Sequence, residues 1–195
     1  MQAYRQIDFP VTIVRPSHTY GERNIPVAIH GKKGSWQVVE RIKNRKPVIV
    51  HGDGLSLWTF THSSDFAKGF LGLMGNPHAI GEAVHITSDE VITWNRAYET
   101  IGRAIGIKPN IIHIPSDFLA AFNPELLGSL LGDKANCAVF DNSKIKRLVR
   151  ANAQRKREKL GNGKSTGNRI LQSLTNDSYI ITIITNIRSG TRRKG

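Results

Sequence analysis

Between Phe9 and Val149 short apolar, β-branched runs alternate with longer stretches whose apolar positions recur at helical spacing. The short runs are residues 11–15, 48–50, 57–62, 83–87 and 111–114, and each reads as a strand; the first reads as buried and 57–62 alternates. The longer stretches read as helices. One lies within residues 26–44, carrying Val27, Ile29, Val38, Val39 and Ile42, and is stopped by Pro47, because the residue before a proline is pushed out of the helical region. A second runs over 65–74, capped by Ser63 or Ser64 and stopped at Gly75-Asn76-Pro77. A third runs from Trp94 to Ile105 with Thr93 as N-cap, Ile101 and Ile105 on one face, and Gly106 at its end. A fourth covers 116–131 and is interrupted near Pro124, which removes a backbone hydrogen bond. The His51-Gly52-Asp53-Gly54 stretch is a turn signal between strands. Strands alternating with helices predict an α/β protein with layered packing. No internal repeat is present.

After Val149 no helical period continues. Residues 150–195 carry 11 of the 28 Lys and Arg but 2 of the 15 Asp and Glu, so this stretch is net +9 and residues 1–149 are net +4, out of +13 for the chain. The basicity belongs to the tail. Arg155-Lys156-Arg157 and Arg192-Arg193-Lys194 offer weak, nonspecific and salt-sensitive nucleic-acid binding; a solvated charged tail is the plainer reading. Gly161 to Thr166 resembles a phosphate loop only superficially, since the position five before Gly163 is Glu158 and no strand precedes it. Residues 150–195 are expected to be largely disordered and unrelated to what precedes them, as a frameshift would produce. Their run from Tyr179 to Ile187 is β-prone, uncharged and free of proline, an aggregation hazard.

The single Cys137 excludes an intrachain disulfide and makes a reducing, cytoplasmic setting the default. No apolar run approaches the length of a membrane span, and the first ten residues lack the pattern of a signal peptide, so no membrane partner is expected. Seven His invite a metal reading, but none forms a pair or a His/Cys cluster of zinc spacing, and no metal is expected.

Three motifs identify a family. Arg15-Pro16-Ser17-His18-Thr19-Tyr20-Gly21 resembles the strand and loop that follow the catalytic Tyr-x-x-x-Lys helix of extended short-chain dehydrogenases, the NAD-dependent epimerase/dehydratase family. Gly52-Asp53-Gly54 with the strand after it and Ser64-Asp65-Phe66-Ala67 add to the likeness, which covers roughly residues 5–149. No Gly-x-x-Gly-x-x-Gly phosphate loop is read, and Tyr4, Tyr20 and Tyr98 are followed four positions on by Asp8, Asn24 and Gly102 rather than Lys. The resemblance therefore implies the C-terminal part of a doubly wound Rossmann-like sheet plus a small substrate-binding subdomain in 1–149, with 150–195 as a basic tail.

The resemblance also implies roles. Backbone groups near Pro16 and Ser17 would orient the nicotinamide carboxamide of NAD or NADP, and His18 and Thr19 would reach a small-molecule substrate, as would Trp58 and His62. This agrees with ligands binding at the carboxyl ends of strands in open α/β sheets. His18 stands where sugar-nucleotide enzymes often have Asn. Trp58-Thr59-Phe60 stands where many place Arg-Asp-Phe, whose Arg clamps a diphosphate, so the resemblance implies an apolar or aromatic substrate group more readily than a nucleoside diphosphate. Core packing is the alternative for Trp58, and Asp65 reads as a first-turn helix carboxylate.

The expected function is that of a truncated NAD(P)-dependent oxidoreductase of this family, one that retains no cofactor and is inactive alone unless a separate N-terminal half completes it. The alternative is a non-catalytic RNA-binding or regulatory module that uses the basic tail.

Overall fold

The computed structural model describes residues 2–7, which form helix α1 (Gln2–Ile7), and 9–150, and the expectations for the tail beyond Arg150 lie outside the described residues. Two compact units divide the chain. Of the described residues, one takes those up to 19, 59–90 and 140–150, the other 20–58 and 91–139. Strands β2 (His18–Tyr20) and β4 (Leu57–His62) run across the division between Thr19 and Tyr20 and between Trp58 and Thr59.

The first unit is built on a parallel pair. β1 (Ile13–Pro16) runs alongside β5 (Ala83–Ile86) with Ile13 opposite Ala83 and Pro16 opposite Ile86. The chain returns between them through α3 (Ser63–Leu73), the kind of helical crossover that parallel strands require. Val84 and Ile86 are fully buried and form a core with Leu73, Ala79, Ile145, Leu148 and Val149, against which Val14 and Phe66 pack. Burying each such aliphatic side chain stabilises the fold by about 1.5–3 kcal/mol. Leu148 and Val149 come from a last helical stretch, 143–150.

Helix α3 starts two residues earlier than the sequence predicts, because His62 rather than Ser63 or Ser64 is its N-cap: the imidazole accepts from the Ser64 amide. Its face toward β5 is glycine. A Cβ at Gly69 would lie 2.7 Å from Ile86 Cγ2, and one at Gly72 would lie 2.7 Å from Val149 Cγ2. Gly75, in the exit turn, has φ +65°. The spacing Gly69-x-x-Gly72-x-x-Gly75 is thus present after all, but it lies inside a helix and at its end. A phosphate loop needs it between a strand and the helix N-terminus; here it serves close packing and chain reversal. Asn76 follows, buried, capping the turn Pro77–Ala79 through the His78 amide and donating from Nδ2 to the Leu148 carbonyl at 3.0 Å.

The second unit has its own parallel pair, β3 (Val48–His51) with β7 (Ile111–Ile114), in register Val48 with Ile111. Helices α2 (Trp36–Lys43) and α4 (Trp94–Ile105) pack against each other. Helix α4 matches the sequence reading in both caps: Thr93 Oγ1 accepts from the Arg96 amide at 3.1 Å and Gly106 closes the helix at φ +74°. It buries Trp94, Ala97, Tyr98, Ile101 and Gly102, the i, i+3, i+4, i+7, i+8 stripe of an amphipathic helix. Helix α2, expected within residues 26–44, occupies Trp36–Lys43. The segment before it is loop, with Gly31 and Gly34 bridging in a tight turn in which Gly34 has φ +79°.

The predicted turn after β3 is present, with Gly52 and Gly54 at φ +56° and +69°. Helix α5 (Ser116–Phe122) ends before Pro124 as expected, and Pro124–Leu126 forms a 3₁₀ turn. Short strand β6 (Val91–Thr93) was not legible in the sequence pattern. Among the described residues no helix is long and apolar enough to cross a membrane.

Candidate functional site

Because β1 and β5 are parallel and in register through Pro16 and Ile86, both strands deliver their next residues to the same edge of the first unit. Open α/β sheets bind ligands at that carboxyl edge. Ser17, His18 and Thr19 leave β1 there, and Thr87, Ser88 and Asp89 leave β5 there.

Strand β4 supplies the side chains that hold both exits. Thr59 and Thr61 are two apart and therefore share a face of the strand. Thr59 Oγ1 donates to Ser17 Oγ at 2.8 Å, and Ser17 Oγ donates in turn to the Thr59 carbonyl at 2.6 Å. Thr61 Oγ1 accepts from the Ser88 amide at 3.0 Å. Both threonines are buried. Phe60, on the opposite face, meets the His18 ring edge-on with centroids 5.4 Å apart. Thr19 Oγ1 donates to the Ser17 carbonyl at 3.3 Å.

Asn142, also buried, fixes the second exit. Its Oδ1 accepts from the Thr87 amide at 3.1 Å and the Thr87 hydroxyl at 3.0 Å, while Nδ2 donates to the Thr87 carbonyl and, at 3.2 Å, to Asp89 Oδ1. Lys146 pairs with the other oxygen of Asp89. One amide side chain thus satisfies the main chain of Thr87 and holds a carboxylate that is also ion-paired.

The structure brings Pro16, Ser17, His18 and Thr19 together with Thr59, Phe60 and Thr61. His62 is at the end of β4, where Nδ1 accepts from the Ser64 amide at 3.3 Å and lies 2.7 Å from Ser64 Oγ. A neutral ring that accepts at Nδ1 carries its proton on Nε2. Asp65, in the first turn of α3 as predicted, pairs with Lys68 at 2.8 Å.

Trp58 falls in the second unit and is buried there. Its ring meets Trp94 at 5.5 Å, and its indole N–H donates to the Asn136 carbonyl at 2.8 Å. Sequence reasoning did not single out Thr61, Thr87, Ser88 or Asn142. The only available signal was the alternation of β4, which puts Thr59 and Thr61 on one face.

In the second unit His51 is buried, with Nε2 at 2.9 Å from the Lys134 carbonyl. Burial pushes its pKa below the usual imidazole value; the Lys134 carbonyl and Asp53 oppose the shift and the Lys134 ammonium adds to it. The same carbonyl accepts from Ser56 Oγ at 2.7 Å and from Trp94 Nε1 at 3.3 Å.

What the first unit offers a ligand is hydrogen bonding from fixed main chain at the end of a parallel strand pair, the feature of Rossmann-like α/β proteins. Residues 1–87 match the model of the NAD dependent epimerase/dehydratase family. The chain is 35% identical over 89 residues to the uncharacterized UDP-glucose epimerase YtcB of Bacillus subtilis (strain 168), covering 45% of this chain and 26% of that protein. It is 28% identical over 74 residues to 2'-dehydrokanamycin reductase of Streptomyces kanamyceticus, covering 38% of this chain and 21% of that one. Its fold is similar to the crystal structure of UDP-glucuronic acid 4-epimerase from Bacillus cereus in complex with UDP-glucuronic acid and NAD, with a TM-score of 0.56, 15% identity, and coverage of 94% of this chain and 48% of that one. The chain spans about a quarter of the curated relatives it matches and about half of that solved chain.

Proposed function

We propose that residues 9–149 supply the substrate side of an NAD(P)-dependent oxidoreductase of the epimerase/dehydratase type. Pro16 and Ser17 hold the nicotinamide carboxamide through the main chain, and His18, Thr19 and His62 meet a small-molecule substrate. The observation that carries this reading is the fixed carboxyl edge of the β1–β5 pair, where Ser17 is locked to Thr59 and Ser88 to Thr61.

The residues fit a cofactor amide better than they fit acid or base chemistry. Ser17 Oγ donates its only proton to a carbonyl and accepts from Thr59, so the loop presents main-chain groups to a ligand. The nicotinamide, when bound, supplies or accepts hydride. This chain's part is orientation: holding the ring amide at Ser17 and offering substrate the imidazoles of His18 and His62. Trp58 belongs to the other unit and its indole N–H is engaged by Asn136, so no substrate contact is proposed for it.

Residues 9–149 carry neither a Gly-rich phosphate loop nor a Tyr-x-x-x-Lys pair, so in this reading they turn over no substrate without a part that supplies both. Amide NMR spectra of the chain titrated with NAD+, NADP+ or UDP-glucose test the site. Ligand-dependent shifts at Ser17, His18 and Thr19 are expected. Shifts confined to other residues, or none at millimolar ligand, refute it. Nicotinamide turnover by the purified chain alone refutes the need for such a part. The RNA-binding alternative depends on the basic tail, outside the described residues.

A further inference from the structure

We propose that Thr59 and Thr61 are positioning residues, a two-hydroxyl clamp on β4 that sets the main chain of Ser17 and of Ser88–Asp89 at one spacing for an amide-bearing planar ligand. The proposal rests on the site reading above and adds to it which residues determine the presentation.

The argument starts from strand geometry. A β-strand places every second side chain on one face, about 6.6 Å apart. Thr59 and Thr61 therefore project as two hydroxyls in a row, and each reaches a different loop: the one leaving β1 and the one leaving β5. The same face of β4 could bury valine, which suits a strand at least as well as threonine. A hydroxyl there satisfies polar groups that the loops would otherwise leave buried. Thr59 and Thr61 are 0% and 1% exposed.

Their bonds are not equivalent. Thr61 accepts from a main-chain amide, so its loss strands the Ser88 N–H. Thr59 donates to a hydroxyl that already donates to the Thr59 carbonyl, so the two side chains orient each other and tie the Ser17 loop to β4. Asn142 holds Thr87 and Asp89 from the other side, and Thr61 holds the Ser88 amide between them. The two loops are thus registered to one rigid strand.

The test compares Thr59→Val and Thr61→Val, which keep volume and remove the hydroxyl, with Thr59→Ser and Thr61→Ser, which keep the hydroxyl. Two readouts are taken on the full chain: amide hydrogen exchange at Ser17, His18, Ser88 and Asp89, and NAD+ affinity from NMR titration. The valine variants are expected to speed exchange in the corresponding loop by about tenfold or more and to weaken NAD+ by a similar factor. The serine variants should restore both, which a purely volumetric role would not allow. Valine variants that behave as wild type in exchange, or serine variants that fail to restore it, overturn the clamp. If wild-type chain shows no NAD+ shift at Ser17, the cofactor reading fails, and the exchange comparison still decides whether the threonines position the loops.

Discussion

Asn142 is the residue whose replacement tests the first unit most sharply. Asn142→Asp is nearly isosteric and keeps Oδ1, so the bonds from the Thr87 amide and hydroxyl survive. What changes is Nδ2, which donates to the Thr87 carbonyl and to Asp89. An ionised carboxylate would turn a lone pair toward each of two acceptors, inside a site where Asn142 is 3% exposed. An unsatisfied buried carbonyl costs about 1–3 kcal/mol. Repulsion from the Asp89 carboxylate adds to this, about 4 kcal/mol at most for unit charges near 4 Å at an effective dielectric of about 20. The side chain has an escape, because binding a proton restores a donor. Starting from an ordinary carboxyl pKa near 3.9, protonation at pH 7 costs about 4 kcal/mol, and this caps the penalty.

The sign follows. The introduced carboxyl has a folded pKa raised above its unfolded value, so the deficit is smallest below about pH 4, where its one O–H replaces one of the two amide donors, and grows by about 1.4 kcal/mol per unit as pH rises toward the folded pKa. At neutral pH it removes a large part of the 5–15 kcal/mol that holds a typical domain. Trp36, Trp58 and Trp94 all lie in the second unit, so a probe within the first unit is needed. Amide exchange across β5 and residues 143–150 reads it directly. Unchanged protection at pH 7, or a deficit that does not shrink between about pH 7 and about pH 4, refutes the assignment of Asn142 as the donor to Thr87.

Three further outcomes are expected. His51, whose pKa burial lowers, contributes stability that is full above the unfolded imidazole value of 6.5 and lost as pH falls below it. Urea midpoints followed by Trp fluorescence should therefore drop on acidification in wild type and less so in His51→Gln; equal slopes would contradict this. The Tyr98 hydroxyl is buried outside hydrogen-bond geometry, and burial pushes its pKa up to about 12 despite the nearby backbone of Ile29 and Ala28. Tyr98→Phe should be neutral or stabilising within about 1 kcal/mol, and a loss above about 2 kcal/mol by the same assay would show a partner that matters. Gly69→Ala places a methyl 2.7 Å from Ile86 Cγ2, so exchange in β5 should report a loss of about 1–3 kcal/mol. A gain, as helix propensity alone would give, would show that α3 can move away from β5.

Local chemistry was legible and long-range chemistry was not. Thr93, the Trp94–Ile105 stripe and Gly106 specify their helix within a dozen residues, and the structure has all three where the pattern put them. The strands Val48–His51, Leu57–His62 and Ile111–Ile114 were visible for the same reason. The helix expected within 26–44 forms over Trp36–Lys43, and Val27 is instead buried in the loop before it, where the chain is turned by Gly31 and Gly34. His62 displaced the expected serine cap because an imidazole nitrogen accepts an amide as a hydroxyl does. At the site, Ser17 and His18 were named from their motif, while the groups that hold that edge are 42 residues away for Thr59 and Ser17, and 55 for Asn142 and Thr87. No local pattern encodes those pairings.

The junction of β4 with α3 has a mechanical consequence. The strand ends at His62 and the helix begins at Ser63, with no connecting residue. A single inserted residue would turn the helix by about 100° about its axis, swinging Gly69 and Gly72 away from Ile86 and Val149. A joint without slack also transmits: a push or twist delivered to the end of β4 cannot be absorbed there and must appear as motion of the whole of α3.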